Sequence, residues 1–257
     1  MRRLSPVIAV VLALAGCKHV PLDVHYEPTP HEVVEGIMQL VNVQPSDFLI
    51  DLGSGDGRIP IAAARRGARA LGVDLDPQRI LESNDNARMA RVTDRVTFRQ
   101  QNLFETDISE ASVVTLYLFQ HLNLKLRPRL LEELRPGTRI VSHTWDMGEW
   151  RPDRPETVFG KRIFLWIVPA RVAGRWAVED GRGRRFTLDI QQRYQEIMGT
   201  AEIGGRSFPL RDAVLKGASI SFAVDLGDGP RSFQGRRVED DRIVGTPPET
   251  WRATRLP

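Results

Sequence analysis

The sequence predicts two architectures in series: an α/β domain with a mostly parallel sheet and helices on both faces, then a small antiparallel all-β barrel or sandwich. Three observations carry this reading. Between residue 31 and about 145, apolar runs of strand length alternate with segments of helical period, which calls for a parallel sheet covered on both sides. Glycines at 53, 55 and 57 join the first strand to the next helix. From Gly174 onward the helical period is lost, and short alternating runs are separated by turn signals.

The elements follow in order. Val33, Val34, Ile37, Met38 and Val41 fall on one face of a first helix, which Thr29 or His31 is expected to cap. Phe48-Leu49-Ile50 suits a buried strand. Arg58 to Arg65 reads as a helix, with Pro60 tolerated because it lies in the first turn. Ala70-Leu71-Gly72-Val73-Asp74 is the second strand, and a helix starts at Pro77 with Ile80, Leu81 and Ala87. Arg95–Gln100, Ser112–Leu118 and Thr138–His143 are the third, fourth and fifth strands. A leucine-rich helix between the last two is interrupted at Pro128 and stops at Arg135-Pro136-Gly137. Residues 146–160 break the pattern with Gly148, Pro152, Pro155 and Gly160, and Lys161–Pro169 reads as the last buried strand of the domain. Beyond 172, Phe186, Leu188 and Ile190 alternate, as do Ile220, Phe222 and Val224, giving seven or eight short strands. Trp176 and Trp251 are expected to pack across the closure of this second domain.

A strand, a glycine turn and a helix N-terminus bring backbone N–H groups close to a nucleotide-like ligand. Dinucleotide sites use G-x-G-x-x-G, but the third glycine position here is Arg58. The pattern is instead G-x-G-x-G led by Asp51. It resembles motif I of class I S-adenosylmethionine (SAM) methyltransferases, which implies a Rossmann-like methyltransferase domain with SAM as its cofactor. On that resemblance Asp51, Gly53, Ser54, Gly55 and Gly57 line the cofactor site. Asp74 is the ribose ligand, with Asp76 in reserve, because a carboxylate there accepts from both ribose hydroxyls. Asn102 stands where the family commonly carries an Asp beside the adenine, followed by Leu103. Tyr117 sits at the carboxyl end of the fourth strand, where open α/β sheets bind ligands, and His143 ends the fifth. These two are the candidate catalytic residues.

Residues 26–150 resemble more closely the protein-lysine methyltransferase family that includes the mitochondrial enzyme acting on the c-ring protein of ATP synthase. The shared features are Pro28-Thr29-Pro30, the run Asp51 to Ile59, Leu103 to Ser109, and Arg139 to His143 with a following Trp150. The resemblance implies a protein lysine as methyl acceptor. Tyr26, Tyr117, Trp145 and Trp150 are then candidate aromatic walls for its ammonium group, with His143 or Asp146 nearby. The Asn-Pro-Pro-Tyr type of loop used on adenine or glutamine is absent after the fourth strand. The alternative is a lipid-anchored SAM-binding or partner-binding protein without turnover.

Composition adds little more. The formal net charge is +3 over 257 residues, and all but four of the 36 basic residues are arginine. No basic block is interleaved with aromatics, so nucleic acid is not an expected partner. No metal-ligand spacing is found. Met1-Arg2-Arg3, the apolar stretch Val7–Ala15 and Leu14-Ala15-Gly16-Cys17 resemble a bacterial lipoprotein signal. That resemblance implies a signal peptide over 1–16, lipid on Cys17, a tether over 17–30, and attachment to the membrane of the cell envelope. A misassigned start would leave the chain cytoplasmic. The methyltransferase domain is then 31–171 and the β domain 172–257.

Overall fold

The structure, a computed structural model, describes residues 26–247 and 250–257. The expected signal peptide, Cys17 and the tether up to residue 25 lie outside the described residues. Four helices are present among them: α1 His31–Leu40, α2 Arg58–Arg65, α3 Pro77–Ala90 and α4 Gln120–Glu133. Seven strands form the first sheet: β1 Phe48–Leu52, β2 Arg69–Asp74, β3 Val96–Gln100, β4 Val113–Leu116, β5 Arg139–His143, β6 Arg154–Val158 and β7 Lys161–Ile167. Their order is β3-β2-β1-β4-β5-β7-β6. The first five are parallel, and β7 and β6 run antiparallel at one edge. The chain leaves β1 towards β2 and β3, then crosses back to place β4 on the other side. A crevice therefore opens at the carboxyl ends of β1 and β4, the usual ligand position in such sheets.

Apolar stripes decide which face each helix covers. Val33, Ile37 and Met38 of α1 and Ile59 and Ala63 of α2 pack with Leu49 and Val141 on one face. Leu122, Leu126 and Leu130 of α4 pack with Ile50, Val114 and Ile140 on the other. Pro128 does not interrupt α4. It lies on the exposed side, so the carbonyl it leaves without a donor meets water while the buried leucines hold the helix. The α3 terminus is capped by Asp76, whose Oδ1 accepts from Gln78 N at 2.8 Å, with Pro77 first in the helix. Neither expected cap forms on α1. Pro30 holds that position, and Thr29 is drawn into the protein instead.

Two connections depart from strict alternation. No helix joins β3 to β4; residues 101–112 cross by turns. The supposed break at 146–160 contains β6, an exposed edge strand. Its Pro155 is tolerated because an edge strand needs only one row of ladder bonds.

The second sheet contains β8 Gly174–Glu179, β9 Arg185–Arg193, β10 Glu196–Ile203, β11 Arg206–Pro209, β12 Arg211–Lys216, β13 Ser219–Asp225, β14 Pro230–Glu239, β15 Arg242–Gly245 and β16 Arg252–Arg255. All neighbours are antiparallel, in the order β11-β10-β9-β8-β16-β15-β14-β13-β12. The two ends, β11 and β12, are separated in sequence only by Leu210. Residues 206–216 thus pair with β10 through their first half and with β13 through their second. A register shift between Arg211 and Val214 makes the switch. The result is a nearly closed barrel rather than a sandwich. Its interior is filled by Trp176, Phe186, Leu188, Phe222, Phe233 and Trp251, so it is a packed core. Trp251 meets Phe222 and Phe233 edge-on and donates from Nε1 to Gln234 O at 2.8 Å. Trp176 and Trp251 are both inside this core, beside the paired first and last strands of the barrel.

The barrel touches the first domain away from the crevice. Tyr194, in the β9–β10 turn, stacks on Trp150, and Gly217 lies against Gly137 at the amino end of β5.

Candidate active site

A pocket open to solvent occupies the crevice. Its floor is the glycine turn. Gly53, Gly55 and Gly57 have φ of +88°, +53° and +81°, the region that L side chains avoid. Gly53 N and Ser54 N both donate to Val73 O at 2.9 Å, which ties the turn to β2. A Cβ at Gly55 would stand 2.5 Å from the Tyr26 ring. Gly57 does not reach the pocket. It begins α2 and packs under Phe98 and Ser83, so its part is to let the helix start close to the sheet.

Two carboxylates frame the turn. Asp51 is buried at the end of β1, and its Oδ1 accepts from Thr115 Oγ1 at 2.6 Å. Burial raises it to about 7, against the lowering effect of that hydrogen bond. Asp74 accepts from Gly55 N through Oδ2 at 2.9 Å and from Asp76 N through Oδ1 at 3.0 Å. Those bonds fix its plane and leave lone pairs on both oxygens for a diol. Asp76 also lines the pocket, but as the cap of α3 and partner of Arg79 its side chain is engaged.

Leu103 and Gln101 line the pocket next to Asp74; Asn102 does not. The Asn102 Oδ1 accepts from Phe104 N at 3.0 Å, and its Nδ2 donates to Glu105 at 3.0 Å. Its side chain closes its own turn, which corrects the expected adenine contact. Leu118, Leu122 and Ile59 supply apolar wall.

Tyr117 is at the pocket, one residue beyond β4. His143 is not. It is fully buried behind Tyr117, with ring centroids 3.9 Å apart. Burial lowers it to about 4, helped by the charge of Lys161 and opposed by Glu27, so it is neutral near pH 7. A catalytic role at the pocket is thereby corrected: His143 supports Tyr117 from behind. Trp150 is corrected likewise. It is buried between Trp166 and Tyr194. Trp145 stands edge-on to Phe119 outside the pocket lining, and Asp146 accepts from Gln120 Nε2 at 2.6 Å.

Residues 26–30, expected within the tether, form a strap across the glycine turn. Thr29 Oγ1 and His143 Nδ1 are hydrogen-bonded at 3.3 Å, and Arg58 Nη1 donates to Thr29 O at 2.6 Å. Arg58 in turn pairs with Asp56, and the Arg79 guanidinium lies over the Tyr26 ring at 4.5 Å. Sequence reasoning missed Glu27, Arg58 and Arg79. The prolines at 28 and 30 were the available signal, since they stiffen a segment that a loose tether would not need.

The residues present fit SAM: a glycine floor whose space a Cβ would fill, a diol-ready carboxylate, a buried carboxyl raised to about 7 whose ionised form a cationic ligand favours, and the buried, unpartnered Ser54 Oγ. Fold and site together define a class I SAM-dependent methyltransferase.

Residues 51–154 match the family model described as ANTKMT methyltransferase domain. The protein-lysine N-methyltransferase of Saccharolobus islandicus is 43% identical over 156 residues, which are 58% of this chain and 94% of that protein. A human lysine N-methyltransferase, named for the c-ring protein of ATP synthase, is 29% identical, over 65% of this chain and 70% of its own length. A Salinibacter ruber protein, described as an RNA methyltransferase in complex with S-adenosylhomocysteine, is 51% identical. It covers 57% of this chain and 96% of its own, with a TM-score of 0.56. The chain belongs to this family of SAM-dependent methyltransferases.

Proposed function

We propose that the chain transfers the methyl group of SAM to the side-chain nitrogen of a protein lysine. The observation that carries this reading is the charge around the pocket. Glu27, Asp56, Asp74 and Asp76 line it, with Asp51 only partly ionised near neutral pH because burial raises it to about 7, against only Arg58 and Arg79 among the described residues, and both guanidinium groups are paired with carboxylates of the site. Such a field draws in an ammonium group and repels a phosphate backbone. The names of the Saccharolobus islandicus and human relatives support a lysine acceptor; the description of the Salinibacter ruber structure points to RNA, against this charge.

When bound, SAM supplies an activated methyl group on a sulfonium. The protein's part is to position, desolvate and select. Asp74 would hold the ribose hydroxyls. Asp51, Gly53, Ser54 and Gly55 would hold the methionine part, while Leu103 and Gln101 flank the base. Tyr117 stands where the acceptor meets the methyl group. The acceptor nitrogen would give up a proton to solvent before its lone pair displaces the methyl group from the sulfonium, leaving S-adenosylhomocysteine, and the apolar Leu118 and Leu122 beside Tyr117 would favour the reactive amine.

We also infer that Cys17 carries lipid after removal of residues 1–16, which would attach the enzyme to the cell-envelope membrane. Residues 17–25 would then be the tether, 26–171 the methyltransferase domain and 172–257 the barrel. A Cys17→Ser variant should leave the membrane fraction; a wild-type protein that is itself found free of membranes overturns this part.

For the acceptor, the protein is incubated with labelled SAM and a mixture of bacterial proteins and RNA. Acid hydrolysis should return the label as methylated lysine. Label recovered only in nucleotides overturns the reading.

A further inference from the structure

The strap offers one carboxylate that the cofactor has no evident use for. Glu27 is exposed and lines the pocket, two residues before Thr29, which is bonded to the His143 ring that packs against Tyr117. Asp56 and Asp76 each have an arginine partner. Among the described residues, Glu27 has none. Tyr117 lines the same pocket, and burial together with the Glu27 charge raises its pKa. A raised phenol stays protonated and remains a donor. Position is fixed two residues along the chain, where Thr29 is held by His143 from below and by Arg58 from the glycine turn. His143, fully buried and neutral, brings no competing positive charge to the pocket.

We propose that Glu27 is the acceptor-recognition residue: its carboxylate, on the strap lining the pocket that Tyr117 also lines at the carboxyl end of β4, receives the ammonium group of the incoming lysine. This rests on the lysine reading given above and adds the group that selects a cationic acceptor over a neutral one. A carboxylate at the rim, rather than in the floor, binds the ammonium form on arrival and leaves the reacting nitrogen to enter the drier channel at Tyr117. Because the strap is clamped to Arg58, which belongs to the cofactor turn, the acceptor and cofactor sites share one support.

The test uses the full-length protein, poly-L-lysine as acceptor, total tRNA as a second acceptor, labelled SAM, and calorimetric binding of S-adenosylhomocysteine. Glu27→Gln should raise KM for poly-L-lysine roughly 10- to 100-fold, the range expected for a hydrogen bond to a charged group. It should lower kcat much less and leave S-adenosylhomocysteine affinity within about twofold. Glu27→Asp should recover most of the loss. If wild type methylates poly-L-lysine and Glu27→Gln keeps its KM, the assignment is overturned and the lysine reading survives. If Glu27→Gln loses S-adenosylhomocysteine binding, Glu27 serves the cofactor and the assignment is again overturned. If wild type methylates tRNA and not poly-L-lysine, both readings fall.

Discussion

Asp51 is expected to couple cofactor binding to pH. Its carboxyl is buried, it accepts one short hydrogen bond from Thr115, and it is raised from 3.8 to about 7. At 1.36 kcal/mol per unit, that shift corresponds to about 4 kcal/mol in favour of the neutral form. The folded value lies above the unfolded one, so the stabilising contribution is complete below 3.8 and is lost as pH rises through about 7. SAM carries a sulfonium and an ammonium group, and a cation entering the pocket favours the ionised carboxylate. Binding should therefore expel a proton wherever Asp51 is still protonated. With a value near 7, that amounts to about 0.9 proton per SAM at pH 6 and almost none at pH 8.5. Calorimetry in two buffers of different ionisation enthalpy reads this number directly. Affinity should climb from pH 5.5 to 7.5 and then level off. In Asp51→Asn, which keeps an acceptor for Thr115, the proton release should vanish, SAM should bind more weakly, and the ligand-free protein should melt higher at pH 8. Equal proton release in wild type and Asp51→Asn would rule out Asp51 as the linked group.

Other consequences are separate. Asp74→Ala removes both the ribose acceptor and the anchor of Gly55 N, so S-adenosylhomocysteine affinity should drop at least roughly 100-fold; unchanged affinity in calorimetry would sink the ribose assignment. Gly55→Ala places a methyl 2.5 Å from the Tyr26 ring at φ +53°. Cofactor binding should weaken about tenfold or more, with partial recovery in the Gly55→Ala/Tyr26→Ala double variant. His143, lowered to about 4, should give the rate no inflection near pH 6.5. The stability it contributes is present above its ordinary value and lost as pH falls towards 4, and His143→Gln should flatten that acid limb in thermal melts. Trp251→Ala opens the barrel core and should cost about 3–5 kcal/mol of stability in denaturant unfolding, while leaving methyl transfer per folded molecule unchanged.

The local elements were legible because each carries its own signal. The alternating residues Phe186, Leu188 and Ile190 all turn inward in the barrel. The α2 boundaries follow from the glycine turn and Arg58. The position of Asp74 was readable because an acid closes the strand that follows the glycine turn, while its orientation is fixed by Gly55 N, a partner distant in sequence. Elements that lean on neighbours were not legible. β6 has no apolar run, since an edge strand is wetted on one side, and Pro128 reads as a break although its neighbours bury the helix around it.

Residue type and short spacing were enough to specify the order of strands and helices, the glycine turn with its two acids, and the kinship to SAM methyltransferases. Which residues meet was settled in three dimensions. Folding turned Asn102 into its own loop, sank His143 behind Tyr117 and put Trp150 against Tyr194 of the barrel. It also laid the strap over the pocket, where Glu27 and Tyr117, far apart in the chain, line one cavity. Side-chain direction at a strand end or in a loop is set by partners distant in sequence, and no local pattern encodes them.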